Sequence, residues 1–168
     1  MTGIPLPCQD GTVGRGTSFV GRQEVEHHVD ALLDDERIVT LTGTGGIGMT
    51  RLAGEVAALR AKSGDTPAFV ELAPAKPGDD LAITLARQLG HPSAEAFLVG
   101  LDGASTLIVL DNCEHLSAEA AVLATSLIDQ PNVNVLATSR APLAAPGEYV
   151  VQLGPLPVPG DDEAAAPA

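Results

Sequence analysis

The chain has no tryptophan, one tyrosine and three phenylalanines among its 168 residues. A core that cannot draw on aromatic area has to be built from Leu, Val, Ile and Ala, and burying a large aliphatic side chain contributes about 1.5–3 kcal/mol. Cations are scarce as well: nine Lys plus Arg stand against 22 Asp plus Glu, for a formal charge of −13 and a pI near 4.4. Those nine are scattered, which argues against a non-specific nucleic-acid surface. No helix-turn-helix pattern is visible, so this segment is not expected to bind DNA directly. Two cysteines, Cys8 and Cys113, make no disulfide framework. With neither a basic-plus-apolar leader nor an apolar run of membrane length, the expected setting is cytoplasmic, with no membrane partner. The length suits one α/β domain large enough to bury a proper core.

A further absence falls at the most informative place. Arg37 to Thr42 is a β-branched and apolar run that breaks into Gly43-Thr44-Gly45-Gly46-Ile47-Gly48-Met49-Thr50, after which Leu52, Val56 and Leu59 recur at helical spacing. Strand, loop and helix, with four residues between Gly43 and Gly48, match the phosphate-cradling P-loop, except that Met49 occupies the lysine position. The glycines let backbone N–H groups turn inward, the helix starting near Thr50 adds its positive end, and the Thr50 hydroxyl can reach Mg²⁺. What is missing is a full charge at the β- and γ-phosphates, about 4 kcal/mol at an effective dielectric near 20. If half of that survives screening, Met49→Lys should tighten nucleotide binding about thirtyfold. Arg51 is a possible substitute, although the next residue on a helix points about a quarter of a turn away.

The rest of the chain alternates. Residues 1–17 carry Gly and Pro without periodicity and are expected to be a flexible lead-in. Val25, Val29, Leu32 and Leu33 form one apolar stripe of a helix, with His27 and His28 beside it as surface residues. Pro67 to Pro74 predicts a short buried strand, residues 79–90 a helix capped by Gly90, and Pro92-Ser93 the start of a shorter helical piece. Thr106 to Leu110 is the most apolar strand and ends in Asp111-Asn112. A helix over 117–129, a strand over 133–137 closing on Thr138-Ser139-Arg140, and a last strand over 148–153 follow, and residues 157–168 read as a disordered tail. Alternating helices and continuous apolar strands predict an α/β fold with a parallel sheet covered on both faces.

Chemistry concentrates at strand ends. A carboxylate at Asp111, some sixty residues after a phosphate-type loop, is placed to approach Mg²⁺ directly or through water. Arg140 ends the next strand at the same edge, where ligands of open α/β sheets bind. Cys113, Glu114 and His115 look like metal ligands in a row, but consecutive residues rarely converge on one ion; Glu114 has the separate option of positioning an attacking water. Ser139 has no partnered His and Asp in a hydrolase order. The same glycines also satisfy the dinucleotide-binding fingerprint, with Glu71 following Gly48 by 23 residues, near where a ribose-binding acid of an NAD(P) domain belongs. Against that reading, Asp111 and Arg140 go unexplained.

These words together resemble the STAND, or NB-ARC-like, NTPase core of bacterial LuxR-type and SARP-type transcriptional regulators: FVGR (19–22), VTLTGTGGIGMTRLA (39–53), FVELAP (69–74), LIVLDNCEHL (107–116), VLATSRAPL (135–143) and GEYVVQLGPL (147–156). The resemblance implies a P-loop NTPase domain over residues 18–156, a three-layer fold with a five-stranded parallel sheet and the Arg140 strand between the loop strand and the Asp111 strand. It implies ATP or ADP with Mg²⁺ as ligand. Val20, Gly21 and Arg22 would lie by adenine, Gly43 to Thr50 and Arg51 around the phosphates, Thr50 and Asp111 at Mg²⁺, and Arg140 at the γ-phosphate. Met49 departs from the family's lysine, making this a degenerate Walker A, and the family continues into helical and winged-helix subdomains. Three functional readings follow: a nucleotide switch core with weak or absent hydrolysis, read out by further domains or protein partners; an active Mg-dependent ATPase using Arg51 or a partner's arginine; or a truncated remnant that binds nothing.

Overall fold

The computed structural model describes residues 22–155, and the expectations for residues 1–17, for Val20 and Gly21, and for 157–168 lie outside them. In chain order the elements are α1 (Gln23–Asp35), β1 (Ile38–Thr42), α2 (Met49–Lys62), β2 (Thr66–Glu71), α3 (Leu81–Gln88), α4 (Ala94–Gly100), β3 (Thr106–Asp111), α5 (Ser117–Leu127), β4 (Val133–Ser139) and β5 (Glu148–Gln152).

The five strands form one parallel sheet in the order β2-β3-β4-β1-β5. Successive residues of a strand face opposite ways, and here both faces are covered. Val39, Leu41, Leu107, Val109 and Leu136 pack with Val29 and Leu33 of α1 and Leu52 and Val56 of α2. Their neighbours Ile38, Ile108, Leu110, Val135 and Ala137 pack with Leu81 and Leu85 of α3, Phe97 of α4, and Leu123 and Leu127 of α5. The three layers explain why the interior strands are apolar without alternation. Helix starts are chemically marked where expected: the Asp80 carboxylate accepts from the backbone N–H of Ala82 at 2.9 Å, and Ser93 Oγ from that of Ala96 at 3.1 Å. Gly90 closes α3 with φ +75°, a conformation glycine adopts without strain.

Two sequence expectations are corrected by topology. The strand expected to be buried between prolines, β2, is an edge strand, and its Phe69 is 46% exposed. The dinucleotide reading fails because a ribose-binding acid ends the strand beside the loop strand in that fold. Here β1 is flanked by β4 and β5, while Glu71 ends β2, two strands farther off.

Arginines stitch the layers. Just before β1, Arg37 donates to the carbonyls of Ile128 at 3.1 Å, Gln130 at 2.6 Å and Val133 at 2.7 Å, and to Asn134 Oδ1 at 3.0 Å, so the α5–β4 connection is pinned to the sheet's N-terminal edge. Arg60 of α2 pairs with Asp30 at 2.7 Å and Asp34 at 2.9 Å on α1.

Candidate nucleotide site

The strand register brings the chemistry together. Thr42 pairs with Ser139 and with Gln152, Leu110 with Ala137, and Glu71 with Asp111, so the ends of β1, β4, β3 and β2 share one edge of the sheet. The loop after β1 rises from that edge. Gly46 (φ +80°) and Gly48 (φ +90°) hold left-handed turns that an L side chain would strain. Gly43 is required for another reason: a Cβ there would sit 2.9 Å from Ile47 Cγ2. Gly48 is the N-cap of α2, and no side chain caps that helix start, which leaves its first N–H groups directed at the loop.

Thr50 and Asp111 meet at the loop. The Thr50 hydroxyl donates to Asp111 Oδ1 at 2.9 Å, with Oδ2 at 3.1 Å. Thr138 Oγ1 donates to the same Oδ1 at 2.6 Å, and accepts from the Asn112 backbone N–H at 3.0 Å. Asn112 stands at φ +61°, and its side-chain amide donates to Glu71 Oε1 at 2.8 Å. Burial raises the Asp111 carboxyl above its ordinary value, the hydroxyls of Thr138 and Thr50 oppose that, and the charges of Glu71 and Glu114 push it further up. A buried carboxylate among acids, with hard oxygen donors beside it, suits a divalent cation such as Mg²⁺.

Arg140 lies over the loop: its Nη2 is 3.0 Å from where a Cβ on Gly45 would stand, and its Nε is 3.9 Å from Glu114 Oε1. Glu114 and Arg140 are therefore neighbours at the rim. Cys113, Glu114 and His115 diverge. Cys113 is buried, its thiol pushed up to about 12 mainly by desolvation and donating to the Leu110 carbonyl at 3.4 Å, and His115 Nε2 is 2.9 Å from the Ala75 carbonyl oxygen. Met49 is half-buried against the core that α1, α2 and β1 share, as is Ile47. Arg51 is half-buried on the first turn of α2 and has an interaction of its own. Arg22, just before α1, is 5% exposed; its Nη1 and Nη2 have no hydrogen-bond partner, and Nη1 is 3.7 Å from the point a Cβ on Gly48 would occupy. Burial lowers its pKa from the ordinary value.

The residues missed from sequence are Thr138, Asn112 and Glu71 as partners in the Asp111 network. Thr138 carries a signal, since it stands two residues before Arg140 near the end of β4, the strand beside β3. For Glu71 the sequence offers only the spacing of a ribose-binding acid.

Loop, sheet order and edge together define a P-loop NTPase-like fold with a five-stranded parallel sheet. Solved structures share it. The Signal Transduction ATPase with Numerous Domains (STAND) protein with a tetratricopeptide repeat sensor from Pyrococcus horikoshii matches 88% of this chain and 25% of its own, with a TM-score of 0.57 and 19% identity. AMPPCP-bound DnaA from Aquifex aeolicus matches over 82% and 48%, with a TM-score of 0.50 and 17% identity. No protein-family model matches. In sequence, a Mycobacterium bovis protein named as a candidate HTH-type transcriptional regulator is 40% identical over 125 residues, 70% of this chain and 14% of that protein. An uncharacterized Mycobacterium tuberculosis protein is 37% identical over 164 residues, 93% of this chain and 42% of that protein. The chain thus spans less than half the length of either relative. Among the described residues, no helix is long and apolar enough to cross a membrane.

Proposed function

We propose that residues 18–156 are the ATP- or ADP-binding switch core of a STAND-type transcriptional regulator. The observation that carries this reading is the Thr50–Asp111 contact at 2.9 Å, which sets a hydroxyl and a buried carboxylate at the start of the helix that leaves the glycine loop. In this reading the N–H groups of Gly43 to Thr50 hold the phosphates, and Thr50 and Asp111 hold Mg²⁺, with Thr138 keeping the carboxylate in place. Val20, Gly21 and Arg22 flank the adenine. When bound, Mg²⁺ would neutralise charge on the phosphate oxygens. Arg140 senses the terminal phosphate, and Glu114, tied to Arg140 across 3.9 Å, orients water. That link is long and at the rim, and the loop lacks its lysine, so hydrolysis is weak or absent and the nucleotide acts as a state marker. The state is read by other domains or partners of a cytoplasmic regulator, in which this segment does not itself touch DNA.

Calorimetric titration of Mg-ATP and Mg-ADP into the chain and into its Thr50→Ala, Asp111→Ala double variant tests this. Saturable binding that the double variant loses, with no Mg-dependent phosphate release above the variant's background, is expected. Release well above that background would instead favour a working ATPase.

A further inference from the structure

Among the described residues, the strongest unexplained group is Arg22. Its guanidinium is buried at 5% exposure with both terminal nitrogens unpartnered, whereas buried polar groups are ordinarily paired and buried charges almost always so. Arg37 and Arg60 follow that rule, with several partners each. Arg22 also sits beside Gly48, the N-cap of α2 and the residue immediately before Met49. A cation at the positive end of a helix is doubly unfavourable unless an anion joins it. A second flank is open: a cleft of about 500 Å³ lies between α1 and β5, bordered by Arg22, Val25, His28, Tyr149 and the segment after β5 that includes Gly154.

We infer that Arg22 supplies, from the start of α1, the positive charge that the loop lacks at Met49, so that the phosphoryl groups of a nucleoside di- or triphosphate bind between Arg22 and the N–H groups of the loop. This rests on the nucleotide reading above and changes one part of it: Arg22 faces phosphate rather than adenine. The methionine then has no charge to replace. Its side chain packs against the apolar layer beneath the loop, and the cation comes from a different element. Arginine suits the role, because its planar fork offers several donors to phosphate oxygens and it stays protonated when buried.

The test uses the full 168-residue chain, titrated with Mg-ATP, Mg-ADP, tripolyphosphate and adenosine. The variants are Arg22→Met, Arg22→Gln, Met49→Lys and the double variant Arg22→Met, Met49→Lys, with thermal melts reporting folding. Arg22→Met and Arg22→Gln should weaken ATP, ADP and tripolyphosphate binding about tenfold or more while leaving adenosine unchanged. Met49→Lys should gain less than thirtyfold in the natural chain and clearly more in the Arg22→Met background, because the two cations serve one function. Equal gains in both backgrounds, unchanged phosphate affinity in folded Arg22 variants, or an equal loss for adenosine would each overturn the inference. A natural chain that binds no phosphate ligand while Met49→Lys binds them all would refute Arg22's role and leave the nucleotide reading standing. Failure of every variant to bind would remove the nucleotide reading itself.

Discussion

The two ends of the sheet treat charge in opposite ways. At the N-terminal ends of the strands, Arg37 spends its guanidinium on three carbonyls and an amide. At the C-terminal ends, Asp111 is buried near Glu71 and Glu114, Arg22 is buried with both terminal guanidinium nitrogens unpartnered, and Arg140 is held to Glu114 only across 3.9 Å. The first end is satisfied by the fold and contributes stability. The second carries unspent electrostatic demand, which is what a site for a charged ligand looks like before the ligand arrives.

Mutations at the two ends should therefore part company. The largest effect on stability belongs to Arg37→Ala, which strips donors from the carbonyls of Ile128, Gln130 and Val133. A loss of about 2 kcal/mol is expected, since partly exposed carbonyls recover some hydration. Denaturant unfolding measures it, and nucleotide affinity of the folded variant should stay put.

Next comes Asp111→Asn, with the opposite sign. The amide removes a buried charge repelled by Glu71 and Glu114 while keeping an acceptor for Thr50 or Thr138, so a gain of about 1 kcal/mol at neutral pH is expected, together with loss of Mg-dependent binding. The folded carboxyl is raised above its ordinary value of 3.8, so the folded state holds the proton more tightly than the unfolded chain. Natural-chain stability on this account is full below that value and declines as pH rises through the raised pKa. The variant's advantage should therefore open across that window and then level off. An advantage that is flat with pH would mean the carboxylate is not the strained element.

The smallest effect is predicted for Glu114→Gln, where a rim contact of 3.9 Å with a side chain that is 67% exposed is at stake. Stability should move by less than about 0.5 kcal/mol. Any larger shift would place the Arg140–Glu114 pair with the satisfied end rather than the poised one.

Much of this was legible in the chain because it depends on local pattern. Apolar runs marked β1, β3 and β4, glycine spacing marked the loop, and Asp111 and Arg140 announced themselves as polar residues closing apolar strands. What stayed hidden depends on which strands become neighbours. Thr138 reaches Asp111 because β4 lies beside β3 in a register that pairs Leu110 with Ala137. Glu71 joins the site through Asn112, across the β2–β3 pair, and not through the ribose contact its spacing suggested. Likewise the exposure of Phe69 follows from edge position, which prolines at either end of a strand do not reveal. Arg22 looked like part of a local adenine motif, and its lack of partners could be seen only once α1 was laid against α2.

The packing of Met49 against the core carries an evolutionary consequence. Because its side chain is absorbed by the apolar layer under the loop, the loop can keep its shape with methionine or with a lysine whose methylene stem lies along the same surface. Methionine has a single codon, and one change at its middle base gives a codon for lysine. The chain thus sits one base substitution from a loop that carries the lysine of the P-loop pattern, and with Arg22 already beside Gly48 that step would add a second cation to the site rather than its first.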